Sequence, residues 1–424
     1  MIESFHRIRK KWPGLLNKKA LSSVSPVLKW VLAIWIFTAI FADQIANDLP
    51  LSCTIDGQRY FPALEESWNK FSGGSSARLK YIPLMGKMES VVMPPVPYSP
   101  QSIDRKNAGY KSPFGEQNTA STKERHWLGT DALGRDVLSG LIHGSRLALV
   151  IGFLSVFIAA FLGIVLGAFA GYYGDRRLRM GAWSAVLLLF FFAIGLYATF
   201  LALDGGMAFS HLFLLFILLI AAMTGRSLWL KTRTDRSSGK KEKRGFYIPL
   251  DLMVLRAIEI FRSLPSLFIL LALIAIMGPS GIVQISLILA FLMWPSFARY
   301  TRAEFLSLRE REFVGAARLQ RQSDLKIIFS EILPNARAPI VVLCAFGIGS
   351  AILAEATLSF LGLGLAVDQV SWGSMLNEAR KHFSAWWLAV FPGLALFIVI
   401  FTMNTLGDFL ERKHSGYGLS PRGI

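Results

Sequence analysis

Charge is scarce in this chain. Of 424 residues only 17% are Asp, Glu, Lys or Arg, against about 25% in an ordinary soluble domain. Cysteine is scarcer still: Cys53 sits in a polar stretch and Cys344 inside an apolar run. Two residues so placed exclude a disulfide scaffold, and neither has a neighbour at metal-ligand spacing. The six histidines, His6, His126, His143, His211, His382 and His414, are scattered, which leaves no expected metal site. The phosphate-cradling pattern G-x-x-x-x-G-K-[ST] is missing; Gly239-Lys240-Lys241 and Gly86-Lys87 lack the earlier glycine and the hydroxyl residue. There is no HExxH, no CxxC and no G-x-S-x-G. The chain is therefore expected to bind no cofactor and to have no catalytic residues. If it moves a solute uphill, the energy comes from an ion gradient or from a separate subunit.

What is abundant is apolar sequence. Hydrophobic residues make up 53% and the mean hydropathy is +0.46. They gather into long runs separated by short basic segments, the pattern of an integral membrane protein. A helix crosses about 30 Å of hydrocarbon with about 20 residues. Eight candidate spans follow: 27–45, 147–170, 182–203, 208–230, 253–277, 282–298, 338–358 and 385–406. All are expected to be helical, because unpaired backbone groups are too costly in lipid. The fifth is the least uniform, since Arg256, Glu259 and Arg262 interrupt its first half. The fold class is all-α.

Lys and Arg set the expected orientation. There are six in 1–26, seven in 231–247 and eight in 299–337, against two in 359–384. The positive-inside rule then places both termini in the cytoplasm. The net charge of +17 fits loops held at an anionic membrane surface. The first span reads as an uncleaved signal anchor, because no small-x-small site follows it. Residues 46–125, rich in Pro, Gly and Ser, read as a loosely structured external loop. Residues 182–230 read as an inserted hairpin followed by a solvated basic run, 231–247. The remaining divisions are a basic cytoplasmic segment 1–26, a transmembrane region 126–406 and a cytoplasmic tail 407–424.

The loop 299–337 carries the informative pattern. It reads as two short helices, about 309–320 and 324–333. Small residues at Gly315, Ala316 and Ala317 follow Glu312 and leave a smooth patch. Ser323 is well placed to cap the second helix, and Pro334 is expected to end it. Such a cytoplasmic helix–turn–helix suits docking into a partner's groove. A DNA-reading motif is the rival, but the tether to two spans disfavours it, and no nucleic-acid partner is expected.

This loop resembles the coupling motif of ABC importer permeases. The resemblance extends through "HWLGTDALGRDVLSGLIHGSRLALVIG" (126–152), "AGYYGD" (170–175), "LDLMVLRAIEIFRSLPSLFILLAL" (250–273), "ILAEATLSFLGLG" (352–364), "SWGSML" (371–376) and "WWLAVFPGLALFIVIFTMNTLGD" (386–408). These narrow it to the C-type permeases of dipeptide, oligopeptide and nickel importers. The family core has six spans, which removal of the 182–230 hairpin restores. The coupling loop departs from the motif in three places: Gly315 stands where Glu is usual, Arg321 where Gly is usual, and Ser330-Glu331 where a basic residue or His is common.

The resemblance implies a bacterial inner-membrane subunit working by alternating access. It implies a B-type permease as heterodimer partner, two ABC ATPases that hold the ATP and Mg, and an external solute-binding protein. The cargo it implies is a peptide, a nickel chelate or a peptide-like compound. Glu355 lines the cavity or packs between helices. Trp372, Trp386 and Trp387 are expected to be interfacial anchors. An ion-coupled carrier and a receptor that has lost coupling stand as rival readings.

Overall fold

The computed structural model describes residues 25–72, 76–119, 121–175, 179–180, 246–247, 249–277, 281–365 and 369–415. The expected hairpin 182–230, the basic run 231–245 and almost all of the segment 1–26 lie outside them. Two compact units are present: Met1–Ala168 with Ile258–Ile424, and Phe169–Ala257.

The larger unit is built on helices. Ser25 caps α1 (Pro26–Ile40) by accepting the Leu28 N–H at 3.2 Å, and Pro26 supplies a preset φ at the first turn. Further along are α4 (Val137–Tyr173), which continues into the smaller unit, α7 (Ile282–Leu308), α9 (Leu333–Phe360), the short α10 (Trp372–Lys381) and α11 (Trp387–Ser415). Among the described residues four helices are long and apolar enough to cross a membrane, α9 counting from Asp324. A fifth crosses if α5 (Leu250–Ser263) and α6 (Ser266–Met277) form one bent span. The expected span 253–277 runs straight through that break. Pro265 causes it: it lacks an N–H, and it pushes Leu264 out of the helical region. Ile151, Ile285, Ile288, Phe297 and Ile352 form the centre of the buried core.

Residues 46–107 are not loosely structured. Strands β1 (Ser52–Ile55), β2 (Gln58–Tyr60) and β3 (Glu89–Val92) make an antiparallel sheet in the order β2-β1-β3. Helices α2 (Pro62–Ser72) and α3 (Ala77–Tyr81) lie between β2 and β3 in the chain. Leu49, Cys53, Ile55, Ala77 and Tyr81 form a small core between β1 and α3, and Arg78 pairs with Asp48 at 2.5 Å. Arg146 of α4 binds the far end of α1, reaching Asp43 at 2.6 Å and the Ala39 carbonyl at 2.8 Å.

The G-T-D-x-x-G-R-D segment is a turn that starts α4. Asp131 Oδ1 accepts the Leu133 and Arg135 N–H groups at 2.9 and 2.8 Å, and Asp136 Oδ2 caps α4 through the Ser139 N–H at 2.7 Å. His126 is fully buried behind it, with Nδ1 2.9 Å from Asp136, Nε2 3.3 Å from Asp104, and its ring stacked on Tyr98. Burial opposes the imidazolium, but the hydrogen bonds and charges of the two carboxylates outweigh it and hold His126 above the ordinary imidazole pKa. The charged form is thus favoured by folding. Its contribution is full below about pH 6.5 and fades as pH climbs through the raised folded value. We expect protease protection of 98–136 to be greater in wild type than in His126→Gln at about pH 6. The gap should close with rising pH; a gap constant to high pH would contradict the assignment.

The expected tryptophan anchors are only partly such. Trp372 and Trp387 are buried and donate to the Leu141 and Thr130 carbonyls at 3.0 Å each. Their N–H groups found backbone partners, so they pack segments together, while Trp386 is exposed.

The smaller unit contains the foot of the expected insertion. β4 (Arg179–Met180) pairs antiparallel with β5 (Phe246–Tyr247), so the chain leaves and returns at adjacent points. The Leu252 N–H donates to Asp175 at 3.0 Å.

Candidate coupling site

The connection from α7 to α9 is one short helix and a turn. Helix α8 (Glu312–Leu319) begins with Glu312 in its first turn, where a carboxylate suits the helix dipole. It packs on a π-helical turn, Ile327–Ile332, whose Ile327, Ile328 and Ile332 are buried. The buried side of α8 carries Val314 and Ala317, three residues apart. The opposite side presents Glu312, Gly315, Ala316 and Leu319 to solvent. A Cβ added at Gly315 meets nothing within 4 Å.

This corrects the expected patch in two ways. Ala317 is 5% exposed and faces the Ile327–Ile332 turn's side, so it is a packing residue and not part of the outward surface. Leu319, outside the expected patch, is 88% exposed at the end of the same face. Its signal was the spacing of 312, 315/316 and 319, one helical stripe.

Helix α8 ends in a Schellman motif. The Gln322 N–H reaches the Ala317 carbonyl at 3.2 Å and the Arg321 N–H the Arg318 carbonyl at 2.9 Å. The left-handed residue this motif needs is Arg321, at φ +55°. Glycine adopts that conformation without penalty, whereas a side chain costs about 1 kcal/mol or more. Arg321→Gly should therefore raise stability by about 1 kcal/mol with the turn unchanged. A lowered melting temperature would show that the guanidinium makes a compensating contact.

Ser323 stands at the N-cap position of Asp324–Lys326, but its side chain makes no capping bond. Pro334 does not end a helix. Helix continues from Asp324 through the π turn into α9, and Pro334 falls in the first turn of α9. The wider π turn absorbs the missing N–H and ring of Pro334. Asn335 Nδ2 serves the nearby Glu331 carbonyl at 2.6 Å.

Glu312 through Ser323 are thus brought together, and Pro334 lies just behind them. Glu355 lies about 30 Å away along α9, at 1.5 Å per residue. It is 2% exposed and accepts the Ser359 hydroxyl at 2.7 Å. Its surroundings are those of a helix-packing acid.

Comparison with known proteins bears on the same region. The family model described as "Binding-protein-dependent transport system inner membrane component" matches residues 244–415, which contain this site. The chain is 31% identical over 306 residues to the dipeptide transport system permease protein DppC of Alkalihalophilus pseudofirmus, covering 71% of this chain and 76% of the relative. It is 31% identical over 288 residues to the di/tripeptide transport system permease protein DppC of Pseudomonas aeruginosa, covering 68% and 71%. It is 28% identical over 312 residues to the glutathione transport system permease protein GsiD of Pectobacterium atrosepticum, covering 72% and 79%.

Proposed function

Because the chain belongs to the family of binding-protein-dependent transport system inner membrane components, the permeases of ABC importers, we propose that it is a C-type permease subunit moving short peptides across a bacterial inner membrane. It is a multi-pass membrane protein that acts in a transporter complex. The relatives named above carry peptides or glutathione, so a nickel cargo is not needed.

The finer reading assigns its neighbours. A B-type permease pairs with this chain, two ABC ATPases bind ATP with Mg, and an external solute-binding protein delivers the peptide. The termini and α8 face the cytoplasm, and lipid surrounds the spans. The observation that carries this reading is the outward face of α8: a smooth Gly315-Ala316 surface beside an exposed Leu319, on a helix closed at its C-terminus by a Schellman turn. Closure of the ATPases would push α8, and the continuous helix from Asp324 through Phe360 would carry that movement toward the opposite side. The intact Schellman turn favours a working coupler over a scaffold that has lost it.

The test is purification in mild detergent. A second permease and two ATPases should accompany the chain, and ATP hydrolysis should vanish from the preparation when the ATPases are omitted. Recovery of this chain alone, from cells expressing all the subunits, would contradict the reading.

A further inference from the structure

Helices α1 and α4 meet at a charge boundary. No residue is charged from Trp30 to Ala42 or from Leu147 to Tyr173. The next residue after the first run is Asp43, the one before the second is Arg146, and the two are paired at 2.6 Å with Asp43 buried. Charge is costly within hydrocarbon, so a pair that closes one apolar run and opens the next marks the membrane's edge. Helix α2 is fastened there. Ser67 Oγ donates at 3.0 Å to the same Asp43 oxygen that Arg146 binds, and the Gln44 amide donates to Ser67 Oγ at 3.0 Å.

The polarity of α2 is reversed. An ordinary surface helix turns its apolar stripe to the core and its charges to water. Here Ala63 and Glu66 are buried, and Glu66 accepts the Ser76 hydroxyl at 2.9 Å and the Ala77 N–H at 2.7 Å. Glu65 pairs with Lys80 of α3 at 2.9 Å and accepts the Tyr81 hydroxyl. Both carboxylates are thus engaged within the protein. Phe61, Leu64 and Trp68, spaced three and four apart, form a stripe on another side, each half or more exposed. Ser67 lies about 100° round the helix from Trp68. The side held at the membrane's edge therefore adjoins the apolar stripe, and α3 lies behind Glu66.

What covers the stripe follows from what it adjoins. The exposed side of α1 carries Phe37, Ile40 and Phe41, and α2 is bonded to the residues that follow directly. Helices with Trp, Phe and Leu on one face lie in the membrane interface, that face about 5–10 Å into the headgroup–acyl boundary. We propose that α2 is an interfacial helix whose Phe61, Leu64 and Trp68 sit in the acyl chains of the leaflet at the N-terminal end of α4, anchoring the folded segment 46–107 to the bilayer. The proposal goes beyond the transport reading and requires only that the chain is inserted in a membrane.

The test is a depth measurement on the full chain in lipid nanodiscs, with no other protein present. Leu64→Cys carries a nitrobenzoxadiazole label in a Cys344→Ala background, where the remaining Cys53 is buried. Quenching by phosphatidylcholines with shallow and deep nitroxides should place the label about 5–10 Å inside the headgroup–acyl boundary. Aqueous iodide should quench it weakly. Adding Phe61→Glu/Trp68→Glu should reverse this, with iodide quenching gained and lipid quenching lost. Strong iodide quenching without those two changes overturns the proposal. If that quenching then vanishes on adding the solute-binding protein, the stripe is a protein-docking surface instead. Shielding from iodide without lipid quenching also overturns it, because a second copy would then cover the stripe. So does an unchanged depth in the Glu pair, since the aromatic side chains would then not set it.

Discussion

Ala316→Trp should strip the ATPases from the complex while leaving the chain abundant in the membrane. Ala316 lies on the outward face of α8, next to a glycine whose Cβ position is open. Ala316 is exposed, so an indole there points outward and folding and insertion have little reason to change. The proposed ATPase surface would meet it, and overpacking typically costs about 1–3 kcal/mol. That corresponds to about a five- to hundred-fold loss of docking affinity. Ala317→Trp is a different experiment: its side chain is buried, so it should lower stability before it touches docking. Co-purification of ATPase, normalised to membrane abundance, separates the two. Normal docking by Ala316→Trp would remove α8 as the contact.

Gly163→Leu should destabilise the fold itself. Helices α4 and α7 approach backbone to backbone at Gly163 and Gly167, four residues apart on one face. A Cβ at Gly163 would collide with Phe297 Cβ and stand 2.7 Å from the Ala298 nitrogen and 2.9 Å from the Trp294 carbonyl. At Gly167 it would strike the Ala298 carbonyl and sit 2.9 Å from Thr301 Cβ. These are mostly main-chain atoms, which cannot swing aside as a flexible side chain would. Small residues of this spacing are what allow close helix crossings in membranes. Overpacking at such a crossing costs about 1–3 kcal/mol or more, so the melting temperature in detergent should fall by several degrees. Gly393→Leu is the control, since a Cβ at Gly393 meets nothing within 4 Å. Equal melting of both variants would mean that the helices are not so close.

What the sequence revealed, and what it hid, follows from the range of the forces involved. Four spans were legible because each is an apolar run closed by local hydrogen bonding. The left-handed turn at Arg321 was legible because the resemblance expected glycine there. The orientation of Ala317 was not, since alanine carries little signal for either face; Val314, three residues earlier, sets the phase by packing. Pro334 misled because a proline ends an α-helix but fits a π turn, and the turn depends on Ile327, Ile328 and Ile332 finding a core. The sheet of 52–92 was hidden for a similar reason. Its core joins Leu49, Cys53, Ile55, Ala77 and Tyr81 across a stretch whose composition resembles a loop.

The central claim is that this chain conducts peptide only when partner ATPases drive it. The most direct measurement is peptide uptake into proteoliposomes, comparing this chain alone with the complete transporter. The complete set should take up loaded dipeptide only with ATP and binding protein present, and should be indifferent to collapse of proton and sodium gradients. Uptake by this chain alone, driven by either gradient and insensitive to ATP, would contradict the account.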